Sequence, residues 1–143
     1  MIFNLLKVSL FFTVFTTLLH GVEWKVEKKI ELKKDEIQYV KINSANSEKI
    51  FFFRWTLYHN KGLVLLKTYD ENVSQNMLYL SYKNQNVIVK IKDVPVKHGV
   101  KPYLLLKFTS FDYKKKTAKF TLFLRDATDQ VGLEFIKKTK YKI

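Results

Sequence analysis

From Trp24 onward the chain alternates apolar and polar residues with a period of two, and polar clusters separate the runs. That period marks half-buried strands, because successive side chains on a strand point to opposite faces. The first run, Trp24 to Lys33, puts Trp24, Val26, Ile30 and Leu32 on one face. Lys25, Glu27, Lys29, Glu31 and Lys33 fall on the other. Lys28 interrupts the apolar face. An inward-pointing lysine protects an edge strand from further pairing, so this run is expected at a sheet edge. Ile37 to Ile42 follows. Its apolar phase shifts between Ile37/Tyr39 and Val40/Ile42, which predicts a bulge.

Lys49 to Tyr58 is the strongest run. Phe51, Phe53, Trp55 and Leu57 share one face; Ile50, Phe52, Arg54, Thr56 and Tyr58 share the other. Apolar side chains on both faces predict a central strand. His59-Asn60-Lys61-Gly62 is a hairpin connection in which Asn60 and Gly62 suit positive φ, and Leu63 to Tyr69 returns antiparallel. Asp70 to Asn76 reads as a polar loop and Met77 to Tyr82 as a short strand. Val87, Val89 and Ile91 alternate with Ile88, Lys90 and Lys92 in the next. Asp93 to Gly99 is an irregular connection. A long strand, Tyr103 to Tyr113, turns at Lys114-Lys115-Lys116 into the clean alternation of Thr117 to Arg125. Asp126 to Gln130 is a loop, Val131 to Ile136 a last strand, and 137–143 a basic C-terminal tail.

Eight or nine short strands at regular spacing, with no amphipathic helix, predict an all-β domain over residues 22–136. The expected architecture is an antiparallel β-sandwich, immunoglobulin-like, of about eight strands. A small closed β-barrel is the alternative.

The one segment outside this pattern is the N-terminus. Lys7 precedes an uncharged apolar run, Val8 to Leu19, and Gly21 is a small residue at its end. Basic start, apolar middle and small residue together make a secretory signal peptide over 1–21. The run is shorter than the roughly 20 apolar residues a spanning helix needs. A periplasmic protein is therefore expected, with secretion or an uncleaved N-terminal anchor as alternatives, and no transmembrane segment once the signal is removed. The chain has no Cys, so neither lipid attachment at a Cys nor disulfides enter.

The formal net charge of +13 raises nucleic acid or an anionic surface as partner. Apart from Arg54 and Arg125, every cation other than His is Lys. Base and phosphate recognition favours the planar Arg fork, so no nucleic-acid partner is expected. His20 leaves with the signal, and His59 and His98 stand alone, which gives no metal-ligand spacing. Asp126 and Asp129 offer too few oxygens for calcium and read as a solvated turn. No Gly-x-Ser-x-Gly and no phosphate-cradling glycine loop occurs. A non-enzymatic protein without cofactor is the expectation.

Two sets of residues invite a ligand. Arg54 beside Tyr58 would form a clamp or a cation–π pair. Tyr103, Lys107, Phe111 and Tyr113, on one side of their strand, would form a basic aromatic strip for a protein or glycan. Asn72-Val73-Ser74 is an N-glycosylation acceptor, with Asp70 two places upstream as in the acceptor pattern of bacterial systems, so Asn72 is a modification candidate in a host with that machinery. The functional expectation is an exported binding or interaction domain of the bacterial cell envelope, contacting protein, glycan or an anionic surface. A carrier of a small apolar ligand in a barrel cavity is the alternative.

Overall fold

The computed structural model describes residues 23–80 and 83–140, with side chains through Ile136. The segment read as a signal peptide, 1–21, lies outside the described residues. Nine strands and no helix are described: β1 (Val26–Lys33), β2 (Glu36–Ser44), β3 (Ser47–His59), β4 (Gly62–Tyr69), β5 (Asn72–Tyr79), β6 (Asn86–Lys90), β7 (Tyr103–Asp112), β8 (Thr117–Arg125) and β9 (Gly132–Lys140). They form two antiparallel sheets, ordered β1-β8-β7-β6 and β5-β4-β3-β2-β9. The sheets do not close on each other. The sandwich expectation holds, and the barrel alternative is overturned because each sheet keeps two edges. The apolar-ligand carrier loses its barrel with it.

Alternation decides which residues meet between the sheets. Phe51 and Phe53 of β3 face Phe108 of β7 and Phe120 of β8, all essentially inaccessible to solvent. The Phe53 and Phe120 rings meet edge to face with centroids 5.4 Å apart, a favoured aromatic geometry. Leu32, Val40, Leu63, Leu65, Leu104, Leu106, Leu122 and Leu124 complete the core. β3 is central, as its two-sided apolar pattern predicts.

The flanks carry different protection. β1 is an edge strand, as expected. Lys28 pairs with Leu122 on the inward side. Its ammonium lies 5.6 Å from the centroid of the Phe135 ring on β9, spanning the gap between the two sheet edges. β9 continues past Ile136 to Lys140, so residues 137–140 form strand where a tail was expected, and Lys140 pairs with Glu36.

The β4–β5 connection also differs from expectation. Asp70 and Glu71 take φ of 50° and 65° in a two-residue turn, and β5 begins at Asn72. The polar stretch Asn72 to Asn76 is thus strand, because an edge strand needs only one neighbour and little apolar surface. The β3–β4 hairpin uses the same turn type, with positive φ at Asn60 and Lys61 in place of Gly62. Gly62 matters for space: a Cβ there would meet the Tyr79 ring at 3.0 Å.

Candidate functional site

Ladder irregularities shape the sandwich. The β2–β9 register shifts between Ile37 and Tyr39, but the extra residue lies on β9, where two residues between Ile136 and Thr139 oppose Gln38 alone, so β2 does not itself carry the bulge its phase change predicted. The Gln38 side-chain amide fills the irregularity, donating to the carbonyls of Tyr39 and Ile136 at 3.1 Å each. Two further shifts were not foreseen. In β3 the pairings Trp55↔Leu65 and Leu57↔Val64 leave Thr56 as an extra residue. In β7 the pairings Phe108↔Phe120 and Ser110↔Lys119 leave Thr109 extra.

Each extra residue exchanges the faces of everything beyond it. Past Thr56, Leu57 turns outward and is 53% exposed, while Tyr58 turns in and packs on Phe108. Past Thr109, Phe111 turns in opposite Ala118. The two bulges therefore bring Tyr58 and Phe111 together at one end of the sandwich. Their rings stack with centroids 4.0 Å apart and planes 19° from parallel. Trp55 meets Phe111 edge-on at 5.5 Å, and Tyr113 meets Phe111 at 5.2 Å. The Tyr58 and Tyr113 hydroxyls share a hydrogen bond of 3.0 Å.

These rings, with Lys34, Leu57 and Lys116, line a cleft of about 350 Å³. Two turns hold its cationic rim. The β1–β2 turn is clipped to β3: Trp55 Nε1 donates to the Leu32 carbonyl at 2.8 Å, and the Asp35 amide donates to the Trp55 carbonyl at 3.0 Å. That clip sets Lys34 beside the cleft. The β7–β8 turn is held by Asp112 Oδ1, which accepts from the amides of Lys114 and Lys115 at 3.0 Å each. Lys116, at φ 54°, closes it. Burial, and then the bond with Tyr113, pushes the Tyr58 phenol up to about 12, so it stays a neutral donor and acceptor at ordinary pH.

The structure regroups the residues singled out from sequence. Tyr58, Phe111 and Tyr113 come together. Arg54 does not join Tyr58: the Thr56 bulge separates their faces, and the Arg54 guanidinium pairs with Asp35 at 2.9 Å. The expected strip on β7 is split in the same way by Thr109. Tyr103 and Lys107 stay on the outer face of the four-stranded sheet, where Tyr103 meets Trp24 at 6.1 Å. Trp55, Leu57, Lys34 and Lys116 were missed as lining residues. Asn72 is exposed at the first position of β5, its amide donating to the Asp70 carbonyl at 3.2 Å.

Asp126 is not the solvated turn residue expected. Its side chain is fully buried beneath Lys25. Oδ1 accepts from the Thr128 amide and hydroxyl, and Oδ2 accepts from the Val131 amide at 2.7 Å. Burial alone would raise its pKa. The hydrogen bonds and the Lys25 charge outweigh that and hold the carboxyl below its usual range. This is a structural carboxylate that orders the β8–β9 crossover.

A larger hollow of about 540 Å³ lies beside β1 and β8, lined by Lys29, Glu31, Lys119 and Thr121 among others. Glu31 is engaged there by the Thr117 hydroxyl at 2.7 Å. The aromatic cleft is smaller but mainly apolar with a few polar groups at its rim, the composition of ligand sites in general. Comparison of the chain with protein-family models, with curated proteins and with solved structures finds no match.

Proposed function

We propose that the protein is a non-catalytic binding module of the bacterial cell envelope, and that its aromatic cleft seats an apolar group carrying a negative charge beside it. The observation that carries this reading is the cleft itself: four aromatic rings gathered by two bulges, with Lys34 and Lys116 at the rim. Rings of this kind offer contact area at little conformational cost, and the two ammonium groups select for an acidic neighbour. A partner polypeptide presenting an apolar side chain next to a carboxylate fits this chemistry.

Site-specific photocrosslinking in the native envelope tests it. A photoreactive phenylalanine analogue in place of the exposed Tyr113 should capture a defined adduct. Tyr58→Ala should reduce that adduct, and so should high salt. The same analogue at exposed Lys97, in the β6–β7 connection, is the control. Equal labelling from both positions would remove the cleft from the function. The export reading rests on residues 1–21. The intact mass of protein recovered from the host envelope reports both cleavage after Gly21 and any glycan on Asn72.

A further inference from the structure

β5 is an edge strand without the usual defences. Its sequence, Asn72-Val-Ser-Gln-Asn-Met-Leu-Tyr79, has no charged residue and no proline. Natural edges are blunted by charge, proline, bulges or shortness. The other edges obey this rule: β1 and β9 are rich in lysine, and β6 is five residues long. Seven of the eight β5 residues are exposed or half-exposed.

The hairpin fixes which backbone groups face outward. Tyr69 and Asn72 close a two-residue turn, so they bond to each other across the ladder, as does every second residue after Asn72. The N–H and C=O groups of Val73, Gln75, Met77 and Tyr79 therefore point away from β4. Tyr79 confirms the phase, since its N–H reaches the Asn84 carbonyl at 2.9 Å. No other strand among the described residues pairs with this edge.

The space beside the edge has a charge preference. A cavity of about 420 Å³ lies between β5 and β6, lined by Lys67, Lys90, Ser74 and Asn72 among others. Lys67 pairs with Phe53 and Ser74 on the inward side of β4. Burial lowers its pKa, and among the described residues no carboxylate pairs with it to offset that. On the inward side of β5, Asn76 Oδ1 is buried with no hydrogen-bond partner in the structure. On the outward side, Val73 and Met77 are 70% and 49% exposed.

We propose that the β5 edge accepts an extended acidic segment of a partner polypeptide as an added strand. Its alternate carboxylates would turn inward toward Lys67, in the cavity that exposed Lys90 of the facing β6 edge also borders, and its apolar side chains outward beside Val73 and Met77. Backbone bonds would supply the affinity and the lysines the selectivity. A second copy of the chain fits less well: it would bring more lysines to the seam, leave these two unpaired and double a net charge of +13. This surface is separate from the aromatic cleft and does not depend on it.

The test uses the full chain with two synthetic seven-residue peptides, one alternating Glu and Val, the other alternating Lys and Val. Amide exchange by NMR is the readout. The Glu peptide should slow exchange at Val73, Gln75 and Met77 by about tenfold or more, and the Lys peptide should not. Lys67→Gln should weaken Glu-peptide binding by about tenfold. Gln75→Pro should abolish it, because it removes an outward N–H and leaves the β4 ladder intact. If that variant does not fold, Lys67→Gln and the charge reversal of the peptide decide. Unchanged exchange, or equal protection by both peptides, overturns the proposal. So does protection without peptide, whether in the monomer (the chain's own segment) or in a concentration-dependent dimer (a second copy).

Discussion

The rings of Tyr58 and Phe111 lie stacked 4.0 Å apart, and each reaches that place only because its strand carries one extra residue. Thr56 does this for β3 and Thr109 for β7. Without either bulge, strict alternation would point one ring into solvent. Phe111 stands three residues from Phe108, an odd spacing that the bulge turns to the same face. Deleting Thr109 makes that spacing two, so the bulge should vanish while Phe111 stays inward against Tyr58 and the near-UV circular dichroism of the rings persists. Phe111→Ala removes the ring itself and should cost about 2 to 3 kcal/mol by urea denaturation, with that signal collapsing in the folded baseline. A Thr109 deletion that loses the signal as Phe111→Ala does would mean that the bulge does more than set the phase.

The hydroxyl bond between Tyr58 and Tyr113 makes a second prediction, about alkaline pH. Burial first, and the Tyr113 bond second, raise the Tyr58 phenol to about 12. The unfolded value is about 10. The neutral phenol is thus favoured by the fold, and its stabilising contribution is complete below the unfolded value and lost as pH rises toward the folded one. NMR titration of the tyrosine rings should find Tyr58 still protonated at pH 11. Tyr113→Phe should lower its midpoint only in part, because burial remains. A normal Tyr58 midpoint in the parent protein would contradict the closed arrangement of the rings.

The strands were legible because burial imposes period two on long stretches, as in Phe51, Phe53 and Trp55, or Phe120, Leu122 and Leu124. The edge position of β1 was legible through Lys28. The cleft was not. Thr56 and Thr109 are ordinary strand residues, and nothing local distinguishes a threonine that is bulged from one that is paired. A bulge reads from sequence only where it breaks an apolar phase, and even the break between Tyr39 and Val40 marked only the neighbourhood of a shift whose extra residue lies on β9. Beyond Thr56 both Leu57 and Tyr58 are apolar, so either phase was acceptable. β5 was misplaced for the opposite reason. Its inward residues include Ser74 and Asn76, and a polar edge strand looks like a loop.

Trp55 joins the two sheets by a single polar contact, Nε1 to the Leu32 carbonyl at 2.8 Å, inside an otherwise apolar wall. Trp55→Phe removes the donor, leaves the Leu32 carbonyl without it and vacates part of the indole volume. The expected cost is about 2 to 3 kcal/mol. It should show as a lower urea midpoint with an unchanged slope. The local consequence should be larger than the global one: the β1–β2 turn hangs on the same clip, so the Asp35 amide, bonded to the Trp55 carbonyl at 3.0 Å, should exchange faster. Equal exchange in both proteins would show that the turn is held by other contacts.

Asp126 tests whether a buried charge orders the crossover from β8 to β9. Both carboxylate oxygens accept hydrogen bonds, Oδ1 from Thr128 and Oδ2 from Val131. Asn would have to present an amide nitrogen toward one of those donors, so Asp126→Asn pits donor against donor. A cost of about 2 to 3 kcal/mol at neutral pH follows for charged hydrogen bonds lost in a buried place. The pH dependence gives the sign. The folded carboxyl sits below its usual 3.8, since its hydrogen bonds and Lys25 outweigh the burial penalty. Its contribution is therefore complete above the ordinary carboxylate range and fades as pH falls through the lowered value. The difference between parent and variant should be greatest at pH 7, begin to shrink near the ordinary carboxylate value, and close only below the lowered folded value, where protonation removes the charge from the parent as well. A constant difference across that range would assign the loss to packing and not to the carboxylate.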